Sequence, residues 1–498
     1  MDIGTTLFAW AAHLALLAAA YPTSAALAQV LSDDKDTVRP PRAVLITALL
    51  LVICAGGLSL VLLWEGLLGI RFTFGSIALP YLIAMLPGLL WWRRIRPMTS
   101  PEAQPAEAAL VGRDRLVVTG LIGVVAAAVL FNGIYYPLYR DDTLGIYRPA
   151  ALPMFNDGQI DPLTGADSLY KAYPVLVPSL YAIGYMASGW ENDYLAKMLP
   201  TLLSLGCLPA AYLLGEWVTR RRAGGWVAAA LLAITPAFGR WGSAAYVDLP
   251  MAFFYTLSVY FALRAWDTRK TVELVIAGVL LGLAANTKNA ALLAVPLLGA
   301  WFAYGWLMRR FRFRQIAVGI IAAVGIGAPF YVRNLIGAGF LMPATAWTDQ
   351  ARHTLEALFA LVLRPENFGI TGALGLIGWG FALTQLLKRD NRPRALAILG
   401  FSVPVFTAWW VFVSYDPRFL LLFLPILFAG GAWPLLDWET RLPSALRLPA
   451  RRAALGIALV MALITAFYAV EYKQALVRNP LMSHEDKLAL VGRAPITP

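Results

Sequence analysis

Long apolar runs recur along the whole of this 498-residue chain, and many match the roughly 20 residues that a membrane-crossing helix needs. The sequence is 59% hydrophobic and only 14% charged, and its mean hydropathy is +0.65. A water-soluble protein of this length needs more charge to cover its surface. We therefore predict an all-α polytopic membrane protein, a bundle of about 14 transmembrane helices.

Short clusters of basic residues between the apolar runs set the orientation of the chain, because loops rich in arginine and lysine stay in the cytoplasm. Hydropathy places the spans near 5–30, 43–64, 75–92, 115–135, 193–218, 224–240, 247–265, 272–287, 289–307, 314–333, 367–387, 394–413, 417–436 and 453–471. The basic clusters lie at 93–96, 220–222, 269–270, 309–314, 388–394 and 451–452. Topology explains the net charge of +12 more simply than nucleic acid binding, so we predict no nucleic acid partner.

One apolar segment, 172–190, is predicted not to cross the membrane. If it crossed, the basic cluster at 220–222 and every later cluster would lie outside the cell. Pro174 and Pro178 also interrupt a straight helix there. We therefore expect this segment to lie along the outer interface or to re-enter the bilayer.

The predicted organisation has four parts. Residues 1–96 form a three-helix membrane extension, and 97–114 form a polar cytoplasmic linker. Residues 115–440 form the main transmembrane domain, with external loops at 136–192 and 334–366, the first of them carrying interfacial helices. Residues 441–498 add a last helix and an external tail, whose residues, among them Lys473 and Arg478, we expect to be solvated.

Cysteine and histidine give little support to a disulfide or a histidine metal site. Cys54 and Cys207 both lie inside apolar runs, and the three histidines are far apart in the sequence. We predict no cofactor. Carboxylates that are described next could bind a divalent metal through oxygen, but we do not favour one.

Two acidic stretches stand at the predicted outer ends of helices, Tyr139–Thr143 and Tyr246–Pro250. Carboxylates at membrane depth are unfavourable unless they have a function, so Asp141, Asp142 and Asp248 are candidate site residues. Their placement on one face of the membrane indicates one pocket. Asp141 and Asp142 could instead be solvated loop carboxylates, and Asp248 could simply cap its helix.

The order of motifs along the chain resembles that of the GT-C fold glycosyltransferases. A helix is followed by Asp141-Asp142, by a helical stretch from Leu144 to Phe155 and by a loop rich in tyrosine and proline. Three further segments are similar to the family's motifs, namely Tyr246–Phe254, Gly282–Asn289 and Pro329–Asn334 with Gly339 and Pro343. In pattern the chain is nearest to the protein O-mannosyltransferases and the lipid A aminoarabinose transferases. The sequence departs from the family at Asp142, where glutamate is frequent, and at Asn289, where glycine is frequent.

The resemblance covers roughly 115–440 and implies a GT-C-like catalytic domain. It also implies an inverting transfer of a sugar from a polyprenyl-phosphate donor to a glycan, lipid or protein acceptor, on the outer face of a bacterial inner membrane. A general base must then remove the acceptor proton, and cations must hold the donor phosphate. Asp141 is predicted as the base, with Asp142 and Asp248 holding the acceptor or tuning the charge of the pocket.

The remaining roles are assigned to cations and tyrosines on the outer side. Donor phosphate and lipid binding is predicted for Lys171, Lys288, Arg333, Arg418 and Tyr170, and substrate binding for Tyr139, Arg148 and Tyr246. Lys288 and Arg418 could instead extend toward lipid headgroups, and Arg333 could anchor a loop.

Two other functions remain open at this point. A flippase or transporter for lipid-linked oligosaccharides would place its charges at mid-span around a cavity, whereas most charges here lie at helix ends. A polysaccharide polymerase or ligase would rely on external arginine and histidine, and the Asp-Asp motif fits it less well.

Overall fold

The computed structural model describes residues 3–32, 40–94, 112–160, 172–342, 351–436, 438 and 441–493, and all regular structure in these ranges is helical. The α-helices are α1 (Ile3–Ala19), α2 (Tyr21–Ser32), α3 (Arg42–Leu51), α4 (Gly57–Leu67), α5 (Phe74–Arg94), α6 (Arg113–Tyr135), α7 (Arg148–Asn156), α8 (Leu176–Ser188), α9 (Asp193–Thr219), α10 (Arg222–Ala233), α11 (Pro236–Gly242), α12 (Asp248–Thr268), α13 (Thr271–Thr287), α14 (Ala294–Leu307), α15 (Phe313–Ala338), α16 (Leu355–Leu358), α17 (Ala360–Leu363), α18 (Pro365–Gln385), α19 (Arg392–Phe412), α20 (Leu424–Leu435), α21 (Ser444–Ala469), α22 (Lys473–Arg478) and α23 (His484–Leu490).

The predicted all-α membrane architecture is confirmed, and the chain is a multi-pass membrane protein. Among the described residues, ten helices are long and apolar enough to cross a membrane. Each of the other predicted spans also contains helix, but α10, α13 and α20 are shorter than 18 residues. The predicted count of about 14 spans therefore remains a prediction.

The 224–240 span is broken rather than continuous. Helix α10 ends at Ala233, and a new helix, α11, begins at Pro236. Proline fits the first turn of a helix, where its missing N–H removes no hydrogen bond, but it cannot continue one. The break brings Trp241, at the end of α11, close to the start of α12.

The centre of the bundle is α9, which packs against α10, α12 and α20. It begins where the Asn192 side chain accepts a hydrogen bond from the Leu195 N–H at 3.2 Å, the usual way to satisfy a free helix N–H group. Gly215 lies so close to Gly224 that an added methyl group would reach 2.7 Å from the Gly224 carbonyl oxygen. This close approach lets α9 and α10 share one buried core.

Helix α8 occupies the segment that was predicted not to cross the bilayer. It is 13 residues long and almost entirely buried. At one end, the Asn334 side chain donates to the Ala172 carbonyl oxygen at 3.1 Å; at the other, the Tyr185 hydroxyl donates to Asp193 at 3.1 Å. Asn334 and Asp193 stand at the ends of α15 and α9 that are predicted to be external, so both ends of α8 contact helix ends for which the same side is predicted.

The N-terminal helices pack directly on the rest of the bundle. The Ser179 hydroxyl donates to Ser59 at 2.8 Å, and the Phe72 N–H donates to the Gly158 carbonyl at 2.7 Å. These contacts join α4 to α8 and the α4–α5 turn to the first external loop. Of the predicted cytoplasmic linker, only 112–114 falls within the described residues.

Candidate active site

Arg418 joins the two acidic stretches at the outer ends of the helices. Its Nη1 lies 2.8 Å from Asp142 Oδ2, and its Nε lies 3.6 Å from Asp248 Oδ2 and 3.4 Å from Asp416 Oδ2. The guanidinium is therefore surrounded by carboxylates that come from three separate parts of the chain. The side chain is only 10% exposed. We refer to Asp142, Asp248, Lys288, Asp416 and Arg418 as the outer cluster.

The local sequence explains how Arg418 is presented. Asp416 precedes a short 3-10 helix, Pro417–Leu422, and its Oδ1 accepts a hydrogen bond from the Arg418 N–H at 2.8 Å. Aspartate before proline is a typical helix start, because the carboxylate satisfies a free N–H and proline presets the backbone. Asp416 thus fixes the backbone of Arg418 as well as facing its side chain.

Asp248 is the first residue of α12 and is 1% exposed. Its Oδ1 lies 2.6 Å from the Lys288 Nζ. Three residues before it, Ala245 has a positive φ of 59°, and the Tyr181 hydroxyl donates to the Ala245 carbonyl at 2.6 Å. The alternative that Asp248 only caps its helix is wrong, because the carboxylate is held by Lys288 and not by the backbone of α12.

Lys288 follows directly after α13 in an extended conformation. Its side chain is 12% exposed, and its Nζ lies 4.0 Å from the centre of the Phe419 ring. Burial lowers the pKa of Lys288 and Arg418 lowers it further, while Asp248 opposes the change. The alternative that Lys288 and Arg418 extend toward lipid headgroups is wrong, because both side chains point into the outer cluster.

Aromatic rings form the wall of the outer cluster. The Arg418 guanidinium lies 4.8 Å from the centre of the Tyr246 ring and 5.2 Å from that of Trp241. The Tyr246 hydroxyl also accepts a hydrogen bond from the Asp142 N–H at 3.1 Å. Burial and the nearby Asp142 raise the pKa of Tyr246 above its usual range, so its phenol keeps its proton. Tyr246 therefore ties the two acidic stretches together.

The charges of the outer cluster do not balance within it. Asp142, Asp248 and Asp416 face two cations, Arg418 and Lys288. Burial lowers the pKa of Arg418, but the three carboxylates raise it by more, so the guanidinium stays charged. Asp248 Oδ2 and Arg418 Nε are buried without a hydrogen bond to any described residue. A hydrogen-bonding ligand could therefore find unsatisfied groups here.

Asp141 differs from its neighbour Asp142. Its side chain is exposed, and the cations of the outer cluster pair with Asp142 and Asp248 instead. Asp141 thus stands at the solvent side of the cluster, one residue away from it in sequence. This placement leaves its predicted role as the base a prediction.

Other predicted residues lie elsewhere. Lys171 and Tyr170 fall outside the described residues. Arg148 pairs with Glu191, and the Tyr139 hydroxyl accepts a hydrogen bond from Asn132 Nδ2 at 2.8 Å. Arg333, at the outer end of α15, donates to Asn334 Oδ1 at 3.2 Å.

Sequence analysis missed three members of this region, Asp416, Trp241 and Phe419. The signal for Asp416 was present in Asp416-Pro417-Arg418, a helix start at the outer end of a span. Nothing in the sequence singles out Trp241 and Phe419 among 17 tryptophans and 24 phenylalanines. In the described ranges, no three histidine, cysteine, aspartate or glutamate side chains are arranged to hold a metal ion.

Comparisons with known proteins give one match to a family model. Residues 180–338 match the family model of dolichyl-phosphate-mannose-protein mannosyltransferases, a region that includes Asp248 and Lys288. No curated protein matches the sequence.

Several solved structures are similar. Apo ArnT from Cupriavidus metallidurans is 18% identical, with a TM-score of 0.51 over 72% of this chain and 76% of that chain. The same protein bound to undecaprenyl phosphate is 19% identical, with a TM-score of 0.49 over 72% of this chain and 76% of that chain. The Archaeoglobus fulgidus oligosaccharyltransferase tethered with an acceptor peptide is 17% identical, with a TM-score of 0.46 over 76% of this chain and 59% of that chain. The chain therefore has a fold similar to that of ArnT over 72% of its length, and its residues 180–338 resemble the mannosyltransferase family.

Proposed function

We propose that this protein is a glycosyltransferase that moves a sugar from a polyprenyl-phosphate-linked donor to an acceptor hydroxyl or amine at the outer cluster. The observation that carries the proposal is the pair of buried cations, Arg418 and Lys288, held among carboxylates at the outer ends of the helices. Carboxylates and cations at one lipid-water boundary provide the two functions that the reaction needs, proton removal and phosphate binding.

Arg418 and Lys288 are the proposed donor-phosphate residues. Arginine can offer two parallel N–H groups to a phosphate, and lysine adds a compact charge. A donor phosphate would compete with Asp142 for Arg418 Nη1, where the ion pair is 28% exposed on the aspartate side. The polyprenyl chain would remain in the bilayer, since the outer cluster lies at helix ends and not at mid-span.

Asp141 is the proposed general base. Asp142 and Asp248 already pair with Arg418 and Lys288, whereas Asp141 is exposed to solvent and follows Arg140 directly. In the reaction the acceptor oxygen or nitrogen bonds to the anomeric carbon, and its proton goes to Asp141. The bond from that carbon to the phosphate oxygen breaks, and the polyprenyl phosphate leaves with the electron pair. Attack opposite to the leaving group inverts the anomeric configuration.

The proposed location is a bacterial inner membrane, with the outer cluster facing the periplasm. The basic clusters at the opposite helix ends support this orientation, because such clusters remain in the cytoplasm. The proposed acceptor classes are glycans, lipids and proteins, and the sugar is a hexose or a pentose.

Donor class is tested with purified protein in liposomes. Polyprenyl-phosphate sugars and nucleotide sugars, each radiolabelled, are offered separately with a mixture of envelope acceptors. We expect transfer from the lipid-linked donors and none from nucleotide sugars alone. Transfer from a nucleotide sugar without added lipid carrier would refute the proposal. Asp157→Asn changes an exposed aspartate in the loop that carries Asp141, and this variant should transfer sugar as the wild type does.

A further inference from the structure

The segment that follows the last spanning helix folds back onto the outer face of the bundle. Residues 470–493, here the C-terminal tail, contain α22 and α23 and contact residues 132–140 and the start of α9. Arg478 is exposed, as expected, but the expectation that the tail as a whole is simply solvated is wrong. Its contacts converge on the few residues that lead into Asp141 and Asp142.

The first contact is made by Glu471, which pairs with Arg140, the residue immediately before Asp141. The Glu471 N–H donates to Asn132 Oδ1 at 2.9 Å, which fixes the start of the tail against α6. The Arg140 guanidinium lies 5.0 Å from the centre of the Trp241 ring. Arg140 is therefore held between the tail and the aromatic wall of the outer cluster.

The second contact is made by Arg493, at the far end of the described tail. Arg493 pairs with Asp193, whose Oδ2 also accepts a hydrogen bond from the Leu138 N–H at 3.3 Å. Arg493 Nη1 lies 3.5 Å from the Leu138 carbonyl oxygen. Together, Arg493 and Asp193 contact both polar groups of Leu138, three residues before Asp141.

Contacts between these two ends keep the tail in place. The Tyr135 hydroxyl donates to the Pro480 carbonyl at 2.6 Å, and the Lys487 Nζ lies 3.7 Å from the centre of the Tyr135 ring. The Tyr194 hydroxyl lies 2.8 Å from His484 Nδ1. The tail is thus attached along its length to the outer ends of α6 and α9.

Residues 136–140 need such support because they have no regular secondary structure. In the bundle, the buried Lys197 Nζ donates to the Tyr136 and Pro137 carbonyl oxygens at 3.1 and 3.4 Å. In the tail, Glu471 binds Arg140 and Arg493 binds Leu138. Lys197 and the tail thus both hold this segment.

We propose that the C-terminal tail is a positioning element for the reaction, through Glu471 on Arg140 and Arg493 on Leu138 and Asp193. The inference rests on the proposed function of Asp141. By fixing the backbone on the N-terminal side of Asp141, the tail sets the distance between this carboxylate and the cations of the outer cluster. A catalytic group that is displaced by about 1 Å can lose about 10²-fold in rate.

Charge-removing variants of the full chain test the proposal. We expect Glu471→Gln and Arg493→Gln to lower kcat by about 10- to 100-fold while the KM for the lipid-linked donor changes by less than about twofold. Glu485→Gln and Arg478→Gln are matched controls, because these exposed tail residues do not contact the 132–140 segment. Both controls should keep the kcat of the wild type.

Hydrogen exchange gives a readout that does not depend on activity. In the wild type the Leu138 and Asp142 N–H groups are bound by Asp193 and Tyr246. Exchange at these two amides should become faster in Glu471→Gln and Arg493→Gln and stay unchanged in the two controls. Arg140→Glu should behave like Glu471→Gln, and adding Glu471→Arg to it should restore slow exchange and much of kcat, whereas a variant that simply misfolds would not be rescued.

The outcomes separate this inference from the proposed function. If exchange is faster in the two variants but the wild type transfers no sugar from a lipid-linked donor, the tail contacts are supported and the proposed function is refuted. Normal transfer with unchanged exchange and kcat in Glu471→Gln and Arg493→Gln would overturn the positioning role and leave the proposed function intact.

Discussion

Helix α12 carries one buried ionic cluster near each end, and the two clusters differ in what they can do. At the outer end, Asp248 belongs to the outer cluster. At the other end, Arg264 Nε lies 2.6 Å from Glu273 Oε1, and these side chains are 4% and 0% exposed. Arg264 also donates to the Leu31 carbonyl, and the Thr268 hydroxyl donates to Glu273. Arg264 and Glu273, here the inner pair, thus join α2, α12 and α13.

Burial and pairing alone therefore do not identify a site. The inner pair is matched in charge, closed to solvent and bonded to the backbone of a neighbouring helix, which suits a structural role. The outer cluster has more carboxylates than cations and opens toward solvent at Asp142 and Asp416, whose side chains are 28% and 27% exposed. Access and unmatched charge distinguish the two ends.

The largest expected effect is on the proposed base. Asp141→Asn keeps the shape of the side chain but removes proton acceptance, so transfer should fall by about 10²- to 10⁴-fold. The variant should fold normally and still bind the donor, because Asp141 does not pair with Arg418 or Lys288. Initial rates in liposomes measure the change, and Asp142→Asn should lose less. Near-normal turnover in Asp141→Asn, with activity abolished in Asp142→Asn or Asp248→Asn, would move the base to that residue.

The inner pair should respond in the opposite way. Glu273→Gln leaves Arg264 buried without its counter-charge, which should lower the free energy of unfolding by about 3–5 kcal/mol. The protein that remains folded at low temperature should keep the kcat of the wild type. Thermal denaturation in detergent and initial rates measure the two effects. A lost kcat without lost stability would give the inner pair a catalytic role and end the distinction between the clusters.

A smaller effect is expected from pH. Because burial lowers the pKa of Lys288 below its ordinary 10.5, its ammonium loses the proton at a lower pH than an exposed lysine does. If the charged form binds phosphate, donor affinity should weaken as pH rises, before the ordinary lysine range is reached. Titration of donor binding against pH checks this, and Lys288→Arg, which stays charged, should move the loss to higher pH. An identical pH profile in Lys288→Arg would exclude Lys288 as its cause.

The smallest effect is expected from metal removal. Among the described residues, no three histidine, cysteine, aspartate or glutamate side chains are grouped to hold a metal ion, and Arg418 and Lys288 already place positive charge beside the carboxylates. Extended dialysis against EDTA should therefore leave transfer within about twofold of its starting rate. Complete loss, restored by Mg²⁺ or Mn²⁺, would show that the acids of the outer cluster bind a metal with the substrate.

Much of the fold follows from the sequence because membrane helices are encoded locally. Apolar runs predicted the helices, and the positive charges at 220–222 predicted that the α8 segment stays on the outer side. Both ends of α8 contact helix ends that are predicted to share one side, and its place relative to the membrane remains a prediction. The break before Pro236 was not predicted, although that proline is a sign in the sequence that a helix cannot continue through it.

The site was predictable only in part. Asp142, Asp248, Lys288 and Arg418 could be named from their positions at helix ends, but sequence does not show that they meet, since they come from four separate segments. The contacts of the C-terminal tail could not be predicted from the sequence. Glu471 and Arg140 are 331 residues apart, and nothing local in either segment encodes their pairing.

Binding of a polyprenyl phosphate to matched arginine variants at the two ends of the bundle tests the central claim most directly. Arg418→Gln removes the guanidinium of the outer cluster, and Arg220→Gln removes one that pairs with Asp267 at the opposite helix ends. In nanodiscs, we expect the dissociation constant of undecaprenyl phosphate to rise by about 10- to 100-fold in Arg418→Gln, as for loss of a charged phosphate contact. Arg220→Gln should bind like the wild type. Unchanged binding in Arg418→Gln would contradict the assignment of the outer cluster as the donor site.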